Sequence, residues 1–362
     1  MHQNEAKLQN SSSEIMSDGK ADSLIPHFPV TRFMGSKRKL LPFIARALDG
    51  IKFNSVLDAF SGSGSVSYFF KNLGKEVSSN DYLAYSYHIT HATIENKNQK
   101  VSAADLQLVL KDNRSKKNFI QETFNGLYFT PQDNLFLDNV SANIKLIKNK
   151  YKRSLLIASL CRAALKKQPR GVFTVVGQRY DDGRKDLRLS MREHFINSVK
   201  EFNDAVFDNG KKNKAFNGDI FKLKESKFDL IYFDPPYYST RSDNDYIRRY
   251  HFIEGLATYW ENVKIRENSI NKRLEKRPTP FSSKASCYEA FHSLFKQFPK
   301  GMFLVSYSSN SLPTKNEMID IMKEYRRTVQ VFKIPHKYSF GNHAHKVGSN
   351  RNAVEEYLFL GI

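Results

Sequence analysis

The amino-acid sequence predicts an α/β protein with a doubly wound, mostly parallel sheet and an inserted, mainly helical domain. Residues 55–81 follow the order of strand, glycine turn, helix and strand, which is typical of a βαβ unit. The next strand-like segment begins at Ala215, so 133 residues lie between it and Asp81, and a single crossover helix needs far fewer. Two strand-like segments near the carboxyl end are joined without a helix, which predicts an antiparallel pair closing the sheet.

Composition and charge limit the class of protein without identifying it. The 362 residues are 40% hydrophobic and 13% aromatic, enough for a sizeable core and for one large domain or a catalytic domain with a smaller second one. The excess of Lys and Arg over acids gives a formal charge of +20, which favours polyanionic partners such as nucleic acid. A well-solvated basic surface would give the same charge, so the function has to be inferred from sites.

The first residues and the cysteines carry little structural signal. Residues 1–24 are polar without an apolar period, which predicts a disordered tail, and we end this tail at residue 26. The sequence shows neither the apolar core of a signal peptide nor a run of membrane-span length, so we expect a soluble, cytoplasmic protein. Cys161 and Cys287 lack partners at metal-ligand spacing, and His343 and His345 fit a polar loop, so no disulfide or metal site is predicted.

Hydrophobic periodicity gives the remaining elements in order. A basic amphipathic stretch at 37–48 comes before the βαβ unit. The region after the unit reads as mostly helical, with helices at 134–151, 153–167 and 191–207 and a hairpin or loop at 166–180. After it we expect strands at 215–220, 228–233, 301–307, 329–334 and 356–360, a helix at 315–327 and a charged surface excursion at 264–284.

These elements suggest a division into three parts. Residues 1–26 form the tail, residues 27–90 and 212–362 form one discontinuous catalytic domain, and residues 91–211 form the inserted domain.

The glycine turn after the first strand predicts a cofactor site. Gly62 and Gly64 leave backbone N–H groups and little side-chain bulk beside a ligand at the strand ends. The full dinucleotide fingerprint needs a third glycine where Ser67 stands, which weakens a dehydrogenase interpretation. Asp81, at the end of the second strand, is placed to accept hydrogen bonds from ribose hydroxyls, although a cap or turn aspartate would fit equally well.

The quartet Asp234-Pro235-Pro236-Tyr237 follows an apolar strand and carries the chemistry. Consecutive prolines make a rigid turn and cannot continue a central strand. The Asp234 carboxylate and the Pro235 carbonyl can accept both N–H bonds of an amino group on a base, and Tyr237 can stack on that base. Because the amine is already a nucleophile, positioning and charge stabilisation supply most of the catalysis.

With these motifs the chain resembles the DNA adenine-N6 methyltransferases of the alpha arrangement, the group that includes the GATC-specific methylases. Residues 33–37 (Phe-Met-Gly-Ser-Lys) fit the family's aromatic-x-Gly-x-Lys motif, and residues 58–64 and 234–237 fit its glycine-turn and catalytic motifs. The insertion occupies the place of the family's target-recognition domain. The resemblance implies the S-adenosylmethionine-dependent methyltransferase fold, with S-adenosylmethionine as cofactor.

The resemblance also implies which residues surround the cofactor. The family commonly has Trp where Phe33 stands and Gly where Ser36 stands, but Phe33 can still pack on the cofactor. Asp219 resembles the acid that often faces the adenine ring of the cofactor. The predicted cofactor-binding residues are Phe33, Lys37, Asp58, Phe60, Gly62, Gly64, Asp81, Asp219 and Asp234.

The implied activity is site-specific methylation of adenine N6 in duplex DNA, by base flipping and direct in-line transfer. Restriction-modification, with a cognate endonuclease as possible partner, is the role that the resemblance suggests. Residues 166–192 are the expected DNA-contacting part of the insertion, and the basic pair 248–249 follows the catalytic quartet. The DNA-binding candidates are Lys166, Lys167, Arg170, Arg179, Arg248 and Arg249.

Three alternatives remain open from the sequence. RNA adenine methylation and cytosine-N4 methylation belong to the same enzyme class, although Asp234 favours adenine because cytosine enzymes often have Ser there. A catalytically silent nucleic-acid-binding module is the alternative from another class, and the intact quartet argues against it.

Overall fold

The computed structural model describes residues 18–168, 172–174, 185–224, 227–238, 246–337 and 353–362. Within them one seven-stranded sheet runs in the order β3-β2-β1-β4-β5-β7-β6. Its strands are β1 (Ser55–Asp58), β2 (Glu76–Asp81), β3 (Lys214–Asn217), β4 (Leu230–Phe233), β5 (Met302–Ser308), β6 (Val329–Lys337) and β7 (Ala353–Gly361).

Helices precede, separate and follow these strands. The first group comprises α1 (Asp18–Leu24), α2 (Leu41–Ala47), α3 (Ser65–Asn72) and α4 (Ala84–Thr90). The region predicted as an insertion holds α5 (Ala103–Leu110), α6 (Phe119–Thr123), α7 (Pro131–Ile144), α8 (Lys150–Lys167) and α9 (Met191–Asp204). The last group comprises α10 (Tyr246–Thr258), α11 (Lys284–Gln297) and α12 (Lys315–Lys323).

The pairing of the strands confirms the predicted fold class. Strands β3, β2, β1, β4 and β5 are parallel neighbours, whereas β7 pairs antiparallel with both β5 and β6. The predicted antiparallel pair at the carboxyl end is therefore present, and β7 inserts between β5 and β6.

Side chains alternate across the central strands and build a core on each face of the sheet. Val56 and Leu230 join one apolar cluster, while Leu57 and Ile231 join the other. Parallel strands need cover on both faces, and these two clusters provide it. The first cluster also takes in the buried faces of α7, α8 and α9, so the helices of residues 91–211 share one continuous core with the sheet.

Two predictions about helices and the tail are wrong in part. The break between the helices predicted at 134–151 and 153–167 lies earlier than predicted, because α7 ends at Ile144. A capping box of Thr130 and Asp133 begins α7, and the Asn149 side chain begins α8 by accepting from the next backbone N–H groups. Within the tail predicted for 1–26, residues 18–24 form α1 and Ile25 is fully buried. Apolar contact with the core orders this polar segment, and residues 1–17 lie outside the described residues.

Candidate active site

The predicted site residues converge on a pocket at the carboxyl ends of β1, β2 and β4. Ligands bind at this edge of an open α/β sheet, beside the point where the strand order reverses. The strand order departs from β1 toward β2 on one side and toward β4 on the other. The predicted residues that line the pocket are Phe33, Lys37, Asp58, Phe60, Gly62, Asp81, Asp234 and Pro236.

Four other predicted catalytic or cofactor-binding residues do not line the pocket. Gly64 is the N-cap residue of α3, and Pro235 and Tyr237 belong to the Asp-Pro-Pro-Tyr quartet. Asp219 is exposed and accepts a hydrogen bond from the Phe221 N–H at 3.1 Å, which caps a short 3-10 helix. The cofactor contact expected of Asp219 therefore remains a prediction without geometric support.

The glycine turn brings the backbone close to the aromatic ring of Phe33. Gly62 and Gly64 have φ values of +48° and +77°, where side chains with a Cβ are strained. A Cβ on Gly62 would lie 3.0 Å from Phe33 Cε1, and one on Gly64 would lie 3.2 Å from Ile89. Both positions therefore require glycine for conformation and for space.

Buried polar atoms beside this turn lack partners. Asp58 is 1% exposed, and its Oδ2 accepts from Ser67 Oγ at 2.6 Å. Among the described residues neither Asp58 Oδ1 nor Ser61 Oγ has a hydrogen-bond partner, although both residues line the pocket. Burial raises the pKa of Asp58 to about 7. Buried polar atoms without partners are costly, so a polar ligand that satisfied them would fit this pocket.

Asp81 ties the end of β2 to the glycine turn. Its Oδ2 accepts from the Gly62 N–H at 2.8 Å and its Oδ1 accepts from the Leu83 N–H at 2.9 Å. Burial raises the pKa of Asp81 to about 7, and the two backbone hydrogen bonds oppose that rise. Each carboxylate oxygen retains a lone pair that a ligand hydroxyl can use.

The first turns of α10 hold the amino-terminal motif. The Phe33 ring stacks on Tyr250 with centroids 5.2 Å apart and on Tyr246 with centroids 6.0 Å apart. The Tyr250 hydroxyl accepts from the Met34 N–H at 2.6 Å. A helix more than two hundred residues away in the sequence thus fixes one wall of the pocket.

The Asp-Pro-Pro-Tyr quartet at 234–237 belongs to a buried cluster of charges. Lys37 Nζ lies 2.9 Å from Asp234 Oδ1, with the two side chains 5% and 16% exposed. The Tyr237 hydroxyl donates to Asp234 Oδ1 at 3.0 Å and also lies 3.5 Å from Glu356 Oε2. Glu356 of β7 is fully buried. One cation and two acids therefore meet around the hydroxyl of Tyr237.

This cluster sets the protonation of its members. Burial raises the pKa of Asp234 to about 6, and the charge of Lys37 works against that rise while Glu356 adds to it. Burial alone would lower the pKa of Lys37, but the charges of Asp234 and Glu356 hold it above its usual value. Near pH 8 the site therefore pairs an ionised Asp234 with a protonated Lys37.

The predicted DNA-binding residues differ in their surroundings. Lys167 Nζ donates to the carbonyls of Leu187 and Leu189, and Lys166 Nζ lies 3.8 Å from Glu201. The ammonium group of Lys167 is thus engaged by the backbone.

The arginine candidates split between described and undescribed parts of the chain. Arg249 Nη1 lies 2.9 Å from Met34 Sδ, and Arg248 is exposed beside a basic groove. Arg170 and Arg179 lie outside the described residues, as does most of the loop at 166–180.

Sequence reasoning missed Glu356, Tyr246 and Tyr250 as members of the site. Alternation along the strand could have identified Glu356. It lies on the same face of β7 as the buried residues Leu358 and Leu360, at a spacing of two residues. An acid on a buried face needs a charged partner, and Lys37 and Tyr237 lie beside it.

Metal clusters and membrane-spanning helices are both absent from the described residues. They contain no group of three or more His, Cys, Asp or Glu side chains that could hold a metal ion. No described helix is both long enough and apolar enough to cross a membrane. Cys161 and Cys287 are buried free thiols.

Comparison with known proteins gives a family match over most of the chain. A family model described as D12 class N6 adenine-specific DNA methyltransferase matches residues 33–308. The type II methyltransferase M2.HphI of Haemophilus parahaemolyticus is 28% identical over 350 residues, covering 92% of this chain and 98% of that protein.

Other relatives differ in length. The type II methyltransferase M.FokI of Planomicrobium okeanokoites is 26% identical over 359 residues, covering 91% of this chain and 52% of that protein. The modification methylase LlaI of Lactococcus lactis subsp. lactis is 27% identical over 316 residues, covering 81% and 49%. The chain thus spans about half the length of these two relatives and nearly all of M2.HphI.

Proposed function

Because the chain belongs to the D12 class of N6 adenine-specific DNA methyltransferases, we propose that it methylates N6 of a target adenine in duplex DNA with S-adenosylmethionine as donor. The observation that carries the proposal is the buried contact of Asp234 with Lys37 and Tyr237, directly beside a pocket that contains unpartnered polar atoms. The side chain proposed to orient the target amine therefore lines the pocket proposed to hold the cofactor.

The residues of the pocket fit S-adenosylmethionine. Asp81 offers carboxylate lone pairs to ribose hydroxyls, and the ring of Phe33 offers an apolar face. Asp58 Oδ1 and Ser61 Oγ, both without described partners, could be satisfied by polar groups of the cofactor. When bound, the cofactor supplies an electrophilic methyl group on a sulfonium.

Asp234 orients the target amine in this proposal. Its carboxylate accepts one N–H of the adenine amino group, and the carbonyl of Pro235 accepts the other, which points the nitrogen lone pair away from both. The new N–C bond would form as the S–CH3 bond of the sulfonium breaks to leave a thioether, and the nitrogen would then lose a proton to Asp234, the acceptor at hand. Lys37 keeps Asp234 ionised and poised for this role, because its charge opposes protonation of the carboxyl.

Tyr237 acts through both its ring and its hydroxyl. The hydroxyl donates to Asp234 Oδ1, and the ring packs edge-on against Tyr307 with centroids 4.8 Å apart. Glu356 is a positioning residue, since it lies beside the Tyr237 hydroxyl and contributes the second negative charge next to Lys37. The ring of Tyr237 is proposed to stack on the flipped base.

A base within a duplex cannot reach a pocket at the edge of a sheet, so the target adenine has to be turned out of the helix. We propose that residues 91–211 act as the target-recognition part within a catalytic framework of 27–90 and 212–362. The position of this region between the cofactor half and the quartet supports the assignment. Basic residues on 166–192 would then contact the duplex.

A role in restriction-modification completes the proposal. The relatives carry the names type II methyltransferase and modification methylase. By this kinship we propose a modification enzyme that acts on the cell's DNA in the cytoplasm, with a cognate endonuclease as functional partner.

The test is transfer of a labelled methyl group. The purified chain is incubated with methyl-labelled S-adenosylmethionine and either unmethylated plasmid DNA or RNA, and the nucleosides are separated. We expect label in N6-methyldeoxyadenosine. Label confined to RNA, or label in N4-methyldeoxycytidine, would contradict the proposed substrate.

A further inference from the structure

Residues 264–276, called here the basic hairpin, form a short excursion with one β-bridge in the segment of chain between α10 and α11. Ile265 and Leu274 form an antiparallel bridge, and Arg266 N donates to the carbonyl of Arg273 at 2.8 Å. Glu275 N donates to the carbonyl of Lys264 at 2.8 Å. The basic hairpin therefore has a defined backbone and not the form of an irregular loop.

Buried contacts fix the basic hairpin to the rest of the molecule. Leu274 and Asn271 are 4% and 7% exposed. The Tyr128 hydroxyl donates to the Asn271 carbonyl at 2.9 Å, and Asn271 Nδ2 donates to the Thr174 carbonyl at 3.0 Å. Thr174 belongs to the segment 166–192 that we propose as the DNA-contacting part of the insertion. The basic hairpin and that segment thus meet.

The charge of the basic hairpin is strongly one-sided. It carries five Lys or Arg residues and two Glu residues. Arg266, Arg273 and Lys276 share a groove with Arg248 of α10. Arg273 Nε is buried and has no hydrogen-bond partner among the described residues. Cations gathered in this way repel one another, and a polyanion would relieve that repulsion.

α10 carries residues of both the groove and the active site. Arg248 lines the groove, and Tyr246, two residues earlier on the same helix, lines the pocket and stacks on Phe33. Side chains two residues apart on a helix point to different faces, so a duplex would have to span this turn of α10 to contact both surfaces.

The turn of the basic hairpin exposes an apolar side chain. Ile270 is 78% exposed, more than any other large apolar side chain in the described part of the chain. Apolar side chains on basic elements contact base edges or sugars in a groove and can wedge between base steps.

We propose that the basic hairpin is a second DNA-contacting element, which binds phosphates beside the target base through its cations and contacts the groove through Ile270. The proposal rests on the proposed function, because duplex DNA is the polyanion in question. It adds a contact surface outside the insertion and downstream of the catalytic quartet.

The first test compares two charge-matched double variants. Arg266→Ala/Lys276→Ala removes two cations of the basic hairpin. Lys212→Ala/Lys300→Ala removes two exposed cations that precede β3 and β5, at the amino ends of the strands, whereas the pocket lies at the carboxyl ends. Affinity for an unmethylated duplex of mixed sequence is measured between about 50 and 200 mM salt.

We expect the hairpin variant to bind about tenfold more weakly and to lower the slope of log affinity against log salt by about 2. For the control variant, both the log of the affinity and its slope against log salt should stay within about 0.5 of the values for the unaltered chain. Equal behaviour of the two variants would overturn the proposal.

Ile270→Ala tests the apolar contact. It should weaken binding about fivefold without changing the salt slope, because no charge is lost. Unchanged affinity would remove Ile270 from the proposal.

Methyl transfer separates failure of this proposal from failure of the proposed function. At saturating DNA the hairpin variant should keep the turnover of the unaltered chain while its KM for DNA rises, since none of its changed residues lines the pocket. If the unaltered chain methylates DNA and the hairpin variant binds normally, only the basic hairpin proposal fails. If the unaltered chain does not methylate DNA, the proposed function itself fails.

Discussion

Acidification should inhibit the enzyme through Asp234. Its pKa is about 6, so nearly every Asp234 is ionised at pH 8. At pH 5 only about one in ten remains ionised. A protonated carboxyl presents an O–H to the substrate in place of a lone pair, loses its charge attraction to the Lys37 ammonium, and cannot accept the amino proton. We therefore expect kcat/KM for DNA to be about tenfold lower at pH 5 than at pH 8, with cofactor saturating.

Substitution of Asp234 should lower methyl-transfer activity at a fixed pH for the same reason that acidification does. Asp234→Asn keeps the shape of the side chain but removes the charge that Lys37 contacts at 2.9 Å. Losing one well-placed charged acceptor costs about a hundredfold or more in kcat. Asp234→Ala should lose at least as much, while DNA affinity should change by less than about threefold in both variants.

The assay is labelled methyl transfer from pH 5 to 8, with DNA binding measured on the same preparations and folding checked by circular dichroism. Tyr237→Phe is the matched control, since it keeps the ring but loses the hydroxyl bonded to Asp234 at 3.0 Å. It should retain about a tenth of the activity or more. Near-normal turnover of folded Asp234→Asn, or a flat pH profile in the unaltered chain, would refute this account of the quartet.

Three further predictions concern neighbouring residues. Glu356→Gln removes a charge that raises the pKa of Asp234, so the acid limb of the kcat/KM profile should move to lower pH; a limb that stays in place would contradict the role given to Glu356. Burial raises the pKa of Asp58 from its usual value near 4 to about 7, so the cofactor-free chain should lose stability as pH rises from about 4 to 7, by up to about 4 kcal/mol. Asp58→Asn should therefore raise the melting temperature at pH 8 while weakening cofactor binding in calorimetry, and a lower melting temperature would argue against the buried charge. Gly62→Ala, with φ +48° and a Cβ 3.0 Å from Phe33, should weaken cofactor binding about tenfold, whereas Gly74→Ala, with φ +71° and open space around it, should cost stability alone. Equal cofactor affinity in the two glycine variants would show that the approach of Phe33 is unimportant.

Local patterns were sufficient to predict the sheet and the motif-bearing part of the pocket. The glycine turn and the Asp-Pro-Pro-Tyr quartet each impose a backbone shape that few other sequences adopt, so their places at strand ends followed directly. The antiparallel pair at the carboxyl end followed from the missing crossover helix. These features depend on short stretches of chain whose physical preferences are strong.

Features that depend on contacts between distant residues were missed. Glu356 joins the cluster because β7 lies between β5 and β6, and no short pattern specifies that insertion. Tyr246 and Tyr250 reach Phe33 through the path of α10 across the sheet edge. The break between α7 and α8 was predicted after residue 151 and lies at 145–149, where the capping side chain of Asn149 was the local signal.

The insertion of β7 between β5 and β6 has a consequence for biosynthesis. β5 leaves the ribosome long before β7, and until β7 arrives β5 has an unpaired edge on one side. Exposed edges of this kind pair readily with other chains, so a nascent chain of this protein should depend on shielding of β5 during translation. Glu356 belongs to the same strand, so the charge cluster around Tyr237 is completed only when β7 pairs with β5.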